Sequence, residues 1–503
     1  MKDPFIQLYQ PYKIPGSSSP ESTKNYFYSR FPEKNLCFSI LDGIHISKLG
    51  FGCYRVSRGY EIHKNSLKKA ILSGINLIDT SSNYGDGSSE ALVGDVLREL
   101  TEEGLIKREE IFIVTKAGYI QGKNLIYANY KEETNHPFTD IVYLEDNLWH
   151  CIHPDFLEEE LERSLNRLGL ECIDAFLLHN PEYFLIDSEK HNANPETAKE
   201  KYYKRISLAF EFLENSRKKG LIKYYGISSN TFVSPENSYI HTSLDITHQI
   251  SKSISKMHNS SEPGFKFAQF PANLYETGFI TEKNNRGMSV SEYANSTEMF
   301  TLSNRPLNAA SKHGGMEKLS MLSSKQMEIY TKSFDCYYLK LKEFELEIFK
   351  TAGIENEETY FSEILDKQKD KFKSIHHLHF TLDRYIIPTV KKTITRLNNL
   401  QVKEQIVDKY VDLLNRGVQE LEHYVLVSLS RKISYLNKTL NKLSNQLSGK
   451  SLSQQAVLSL LSFPGINSVL VGMKKEEYVT EMLETLNLEF PKLQEDDLRD
   501  IEE

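Results

Sequence analysis

The sequence predicts an α/β fold, a (β/α)8 TIM barrel with an N-terminal β-hairpin and a long all-helical insertion between strand seven and its helix. Three observations predict it. Eight short runs rich in Ile, Val, Leu and Phe alternate with helical patterns, the arrangement of a parallel sheet buried on both faces. No Gly-rich dinucleotide turn follows the first run: "LGFGCYRVSRG" lacks G-x-G-x-x-G, which counts against an open doubly wound sheet. Finally, the stretch from about 310 to 450 is nearly all helical in pattern and separates the seventh run from the eighth.

The elements follow in order. Residues 1–37 form a polar N-terminal extension expected to drape over the body. "CFSILDGIHIS" alternates around Asp42-Gly43, the signature of a tight hairpin. Expected strands are 48–52, 75–79, 110–116, 172–179, 223–229, 265–270, 298–304 and 466–472. Between them lie helices such as 156–169, with Leu157, Leu161, Leu165 and Leu168 on one face. The barrel therefore occupies 38–309 and resumes over 451–503, with 310–450 inserted. A long aromatic segment, 119–154, follows strand three and reads as an irregular loop over the mouth. In the insertion, Leu426, Leu429, Ile433, Leu436, Leu440, Leu443 and Leu447 follow 3,4 spacing. This seam fits a helical bundle packed on itself or on the barrel; a dimerisation arm is the alternative.

Composition sets outer bounds. The chain has 503 residues and a formal charge of −8, which argues against nucleic acid or an anionic membrane as the main partner. Five scattered cysteines without a C-x-x-C pair fit a reducing, cytoplasmic setting. No apolar run reaches the roughly 18 residues of a membrane span, and the N-terminus has no signal-peptide pattern.

Four polar residues fall at or just beyond consecutive strand ends: Asp79 after strand two, Tyr84 in its loop, Lys116 after strand three and His179 after strand four. A barrel draws its catalytic groups from that rim. Taken singly, each is an ordinary cap or structural hydrogen-bonder. Together they have a coherent chemistry. A Lys ammonium beside a Tyr stabilises the phenolate, a carboxylate keeps the Lys charged, and an imidazole can hold a carbonyl oxygen.

The stretches "GINLIDTSSNYGDGSSEALVGDVL", "IFIVTKAGY", "LERSLNRLGLECIDAFLLHNPE" and "GISSN" resemble the aldo-keto reductases. The resemblance covers roughly 38–118, 152–308 and 452–486. It implies an NAD(P)H-dependent oxidoreductase that reduces an aldehyde, ketone or sugar, with Tyr84 as general acid and Asp79, Lys116 and His179 completing the tetrad. An intact His179 implies carbonyl or alcohol chemistry rather than reduction of a steroid double bond, for which relatives carry Glu. On the cofactor side the resemblance assigns Ser229, Asn230 and Gln269 to the nicotinamide carboxamide. It assigns Gly472, Lys474 and Glu481, in "VGMKKEEYVTEM", to the adenosine end. Asn304 and Arg305 stand where many relatives carry a stacking Tyr and are assigned to the cofactor groove. Lys474 in place of a phosphate-binding Arg favours NADP(H), with NAD(H) open. Two other readings are kept: a cofactor-sensing, partner-binding or self-associating barrel acting through the helical insertion, and a sugar dehydrogenase running in the oxidative direction.

Three further signals are set aside. "SIHHLH" (374–379) lacks matching metal-ligand spacing. Cys53 reads as a small buried residue. Trp149, the only Trp, reads equally as a pocket wall or as a loop anchor.

Overall fold

A computed structural model describes the chain apart from residues 1–2, 32–36, 261, 311–315, 319–321, 355–359, 373, 487 and 503. Each apolar run becomes one strand of a closed parallel barrel. The strands are β1 (Leu49–Gly52), β2 (Leu77–Asp79), β3 (Phe112–Ala117), β4 (Ile173–His179), β5 (Ile222–Ser228), β6 (Phe265–Pro271), β7 (Phe300–Asn304) and β8 (Ser468–Val471). Neighbours in sequence are neighbours in the sheet, and β8 closes the circle by pairing with β1.

Each strand is followed by a helix: α1 (Glu61–Leu72), α2 (Ser88–Glu102), α3 (Pro154–Leu168), α4 (Pro195–Lys218), α5 (Leu244–Met257), α6 (Val290–Ser296), α7 (Leu452–Leu461) and α8 (Glu476–Thr485). Local signals set their limits. Helix α3 starts at Pro154 behind His153, whose side chain accepts from Asp155 N, and stops at Gly169 with φ of 64°. Its four expected leucines are all buried. A capping box of Ser451 and Gln454 opens α7.

The interior follows from strand periodicity. Leu77, Val114, Leu177, Tyr224, Phe267, Leu302 and Leu470 share one apolar cluster inside the barrel. Leu41, Ile44 and Ile46 join it from the N-terminal hairpin, Phe38–Leu41 paired with Ile44–Ser47. That hairpin turns at Asp42 and Gly43, with φ of 48° and 80°, as a primed turn requires. It closes the N-terminal end of the barrel, where Tyr224 OH donates to Asp42 Oδ2 at 3.0 Å. The extension before it is tied down by polar contacts. Ile14 bridges to Leu170, Ser18 N donates to Asp174 Oδ1 at 2.6 Å, and Phe5 packs against the Arg167 guanidinium.

Segment 119–154 is more ordered than an irregular loop. Strands Tyr119–Ile120, Val142–Glu145 and Leu148–His150 form a three-stranded sheet, with helix Gly122–Glu133 between the first two. These strands have two to four residues, too few for an alternation to show in sequence. Trp149 is buried in this sheet, edge-on to Tyr143 with ring centroids 4.8 Å apart.

The chain divides into two compact units, Met1–Pro306 with Ser444–Glu503, and Leu307–Leu443. The second unit is not entirely helical: Asn308–Ala310 pairs antiparallel with Met316–Lys318 before the helices begin. Its longest helix, Glu404–Leu443, packs along Ser324–Ala352 over a core that includes Tyr337, Leu341, Phe349, Tyr410, Leu414 and Leu421. Buried Glu345 accepts from Phe361 N, Ser362 N and Tyr410 OH, joining three of its helices. The long helix ends at Leu443, so Leu447 lies beyond the seam predicted for it. In the histidine run, the side chain of His376 is outside the described residues, and His379 Nε2 pairs with Glu422 Oε1 at 2.6 Å.

Candidate active site

One step of two residues along the strands leads from the apolar layer to a polar one. From Leu77 the next inward residue is Asp79, from Val114 it is Lys116, and from Leu177 it is His179. Continuing round the barrel, the same parity gives Ser228, Gln269 and Asn304. All six are within two residues of the C-terminal ends of their strands.

Lys116 is fully buried, and its Nζ lies 2.8 Å from Asp79 Oδ2, 2.8 Å from Thr80 O and 3.3 Å from Tyr84 OH. Gln269 Nε2 donates to Asp79 Oδ1 at 2.8 Å. Each Asp79 oxygen thus faces a donor. Burial lifts this carboxyl above its usual range, with Lys116 and Gln269 pulling against the lift. A proton on either oxygen would have no acceptor, so the ionised form fits. Burial also works against the Lys116 ammonium, but Asp79 and Tyr84 beside it hold its pKa above the ordinary lysine value. Burial raises Tyr84 as well, with Lys116 pulling the other way, so the phenol keeps its proton at neutral pH. His179 is held well below the usual histidine value by burial, Lys116 and His150, so its ring is neutral. Its Nδ1 lies 3.0 Å from Ser81 Oγ. Tyr119 and Tyr84 stand edge-on to it, with ring centroids at 4.7 and 5.9 Å. Tyr54 stands edge-on to Tyr84 at 5.2 Å and is largely exposed.

A neutral phenol touching a buried ammonium, beside a neutral imidazole, is a proton donor whose conjugate base is stabilised in place. Residues 48–257 match the model of the Aldo/keto reductase family. Over that span the chain is similar to the aldo/keto reductases. It is 28% identical over 142 residues to an NAD(P)H-dependent D-xylose reductase of Scheffersomyces stipitis, covering 28% of this chain and 34% of the relative. To an NADH-specific methylglyoxal reductase of Escherichia coli it is 28% identical over 145 residues, covering 27% and 39%. The chain thus spans between a third and two fifths of the length of these relatives. A solved glycerol dehydrogenase from Gluconobacter oxydans aligns over 93% of this chain and 95% of its own, with 17% identity and a TM-score of 0.46.

The residues assigned to an aldo/keto reductase's cofactor are placed unequally. Gln269 stands in the inner layer, and its Oε1 accepts from Ser228 Oγ at 2.9 Å. Ser228 is the residue the sequence reading missed. Strand parity would have found it, because Ser228 lies two residues beyond Gly226 and four beyond Tyr224. Ser229 faces outward instead: its hydroxyl accepts from Thr231 N and meets Thr242 Oγ1 at 3.3 Å. The Asn230 side chain is exposed, while its N–H donates to Glu182 Oε1 at 2.8 Å. Glu182 is itself buried. Asn304, at the end of β7, has a buried Oδ1 with no hydrogen-bond partner among the described residues, and Arg305 Nη2 pairs with Glu276 Oε1 at 2.9 Å. Gly472 and Lys474 are exposed between β8 and α8, a helix with no side-chain cap. Glu481 lies further along α8, where its carboxylate accepts from Ser451 Oγ.

Proposed function

We propose that this chain is an NAD(P)H-dependent carbonyl reductase that converts an aldehyde, ketone or sugar carbonyl to an alcohol. The observation that carries the reading is Tyr84 OH 3.3 Å from Lys116 Nζ, itself 2.8 Å from Asp79 Oδ2. When bound, the nicotinamide supplies a hydride to the carbonyl carbon. Tyr84 gives its proton to the carbonyl oxygen, Lys116 stabilises the phenolate left behind, and Asp79 with Gln269 holds Lys116 in place. His179 has Nδ1 engaged by Ser81, which leaves Nε2 for the substrate oxygen. In the reverse direction Tyr84 takes the proton of an alcohol, so the same groups serve a sugar dehydrogenase.

The donor set fits such a cofactor. Ser228 and Gln269 offer a hydroxyl and an amide to a carboxamide, and Asn304 Oδ1, with no hydrogen-bond partner among the described residues, lies in the same layer. The uncapped start of α8, with Lys474 and Lys475 exposed, suits phosphate. Lys474 weights the reading toward NADPH. Among the described residues the five cysteines form no disulfide, which suits a reducing compartment such as the cytoplasm, and no helix among the described residues is long and apolar enough to cross a membrane.

A second reading, a cofactor-sensing or partner-binding barrel, is favoured by one feature: Leu307–Leu443 is a compact unit with its own core and exposes Ile329, Leu339 and Leu346. Turnover of a carbonyl panel with NADPH by wild type and Tyr84→Phe separates the two. The reductase reading expects turnover that falls by about 10² to 10⁴ in the variant. Cofactor binding without turnover on any carbonyl favours the second reading.

A further inference from the structure

The ring of His179 is neutral, so it has two tautomers, and only one offers an Nε2–H to a carbonyl oxygen. Among the described residues, the one hydrogen bond to this ring comes from Ser81. His150 Nε2 meets the main-chain oxygen of His179 rather than the ring, at 2.7 Å. Tyr84 and Tyr119 present ring edges.

Ser81 is fully buried and has one hydroxyl proton for three neighbours. Its Oγ lies 3.0 Å from His179 Nδ1, 2.7 Å from Asn83 Oδ1 and 3.3 Å from Lys116 O. The last can only accept and is the most distant. The proton is therefore divided between Asn83 and His179.

We propose that Asn83, acting through the Ser81 hydroxyl, sets which ring nitrogen of His179 carries the proton. With Oδ1 turned to Ser81, the hydroxyl donates to Asn83 and accepts from His179 Nδ1–H, leaving Nε2 bare. A half-turn of the amide brings Nδ2–H to Ser81 instead. The hydroxyl then donates to Nδ1, and Nε2–H becomes a donor for a carbonyl oxygen. Asn83 is partly exposed on the loop that carries Tyr84, and among the described residues its amide has no other hydrogen bond. Ser81 and Asn83 are positioning residues: they act on substrate only through His179. The catalytic consequence rests on the reductase reading above.

The test reads the ring directly. The full chain is labelled with 15N-histidine, and the two ring nitrogens of His179 are followed by long-range proton–nitrogen correlation. Wild type is compared with Asn83→Asp, Ser81→Ala and Ser81→Thr. A carboxylate at 83 only accepts, so Asn83→Asp is expected to hold the ring entirely as Nδ1–H. Ser81→Ala frees Nδ1, and the ring is expected to shift toward Nε2–H; Ser81→Thr keeps the wild-type pattern. With NADPH and an aldehyde, Asn83→Asp is expected to lower kcat about tenfold, the worth of one hydrogen bond, and Ser81→Thr to stay near wild type. The same ring pattern in wild type, Asn83→Asp and Ser81→Ala would overturn the proposal. So would a changed tautomer with kcat unaltered. If wild type turns over no carbonyl, the reductase reading fails, and the ring signals alone decide the proposal.

Discussion

Asp79→Asn removes a charge while keeping the side chain's shape, and it strands the Lys116 ammonium. At 2.8 Å and an effective dielectric of about 20, the attraction in this pair is on the order of 6 kcal/mol. Desolvating both ions takes back much of that, but breaking a buried pair from one side still costs roughly 3–5 kcal/mol. Lys116 keeps Thr80 O and Tyr84 OH as acceptors, which puts Asp79→Asn at the lower end, about 3 kcal/mol. Lys116→Met strands Asp79 with only Gln269 and should cost a similar amount. The double variant strands neither charge, so its cost should fall below that of either single variant and far below their sum. Urea unfolding followed by Trp149 fluorescence measures this, because the only Trp lies in the barrel unit and reports it alone. In Asp79→Asn kcat should fall about a hundredfold, since the stranded, buried ammonium gives up its proton more readily and a neutral Lys116 no longer stabilises the phenolate. Additive costs in the double variant, or an unchanged kcat in Asp79→Asn, would refute the ion-pair argument.

Lys474→Ala should weaken NADPH binding about tenfold and leave NADH within twofold, a loss the size of one exposed phosphate contact; equal effects on both in a fluorescence titration would remove Lys474 from the phosphate site. Burial pushes Glu182 up to about 7, so the folded state holds its proton more tightly than the unfolded chain does. The stability this gives is complete below the ordinary glutamate pKa and is lost as pH rises through about 7. Glu182→Gln should therefore match wild type near pH 4 and exceed it by up to about 3 kcal/mol at pH 8, read from urea midpoints across that range. Gly226→Ala would place its Cβ 2.2 Å from Phe267 O, where the register between β5 and β6 shifts; about 1–3 kcal/mol of lost stability is expected by urea unfolding.

The barrel was legible because each strand is a short apolar run bounded by turns, and because Asp79, Lys116 and His179 are ionisable groups ending such runs. The carboxamide side was less so. Ser228, Ser229 and Asn230 are three adjacent polar residues, and a motif match can slide by one position, whereas the pleat allows only alternate residues to face inward. Ser228 is set by its parity with Tyr224 and Gly226, a regularity the residue types alone do not display. The sheet in 119–154 was hidden for another reason. Its strands pair across turns and a helix within that segment, so its stability comes from contacts such as Trp149 on Tyr143 rather than from any local period. The pair Asn308–Ala310 with Met316–Lys318 is equally short and escaped for the same cause.

The position of the helical unit also orders the events of synthesis. β8 pairs with both β7 and β1, yet Leu307–Leu443 must be translated between β7 and β8. At 5–20 residues per second, that puts a delay on the order of ten seconds between the seventh strand and the eighth. During it, β7 and β1 carry open edges, the kind of surface that invites pairing with a second chain. The inserted helices, rich in local contacts, fold within a small fraction of that interval. A newborn chain therefore passes through a stage in which the helical unit is complete while the barrel still lacks its closing strand.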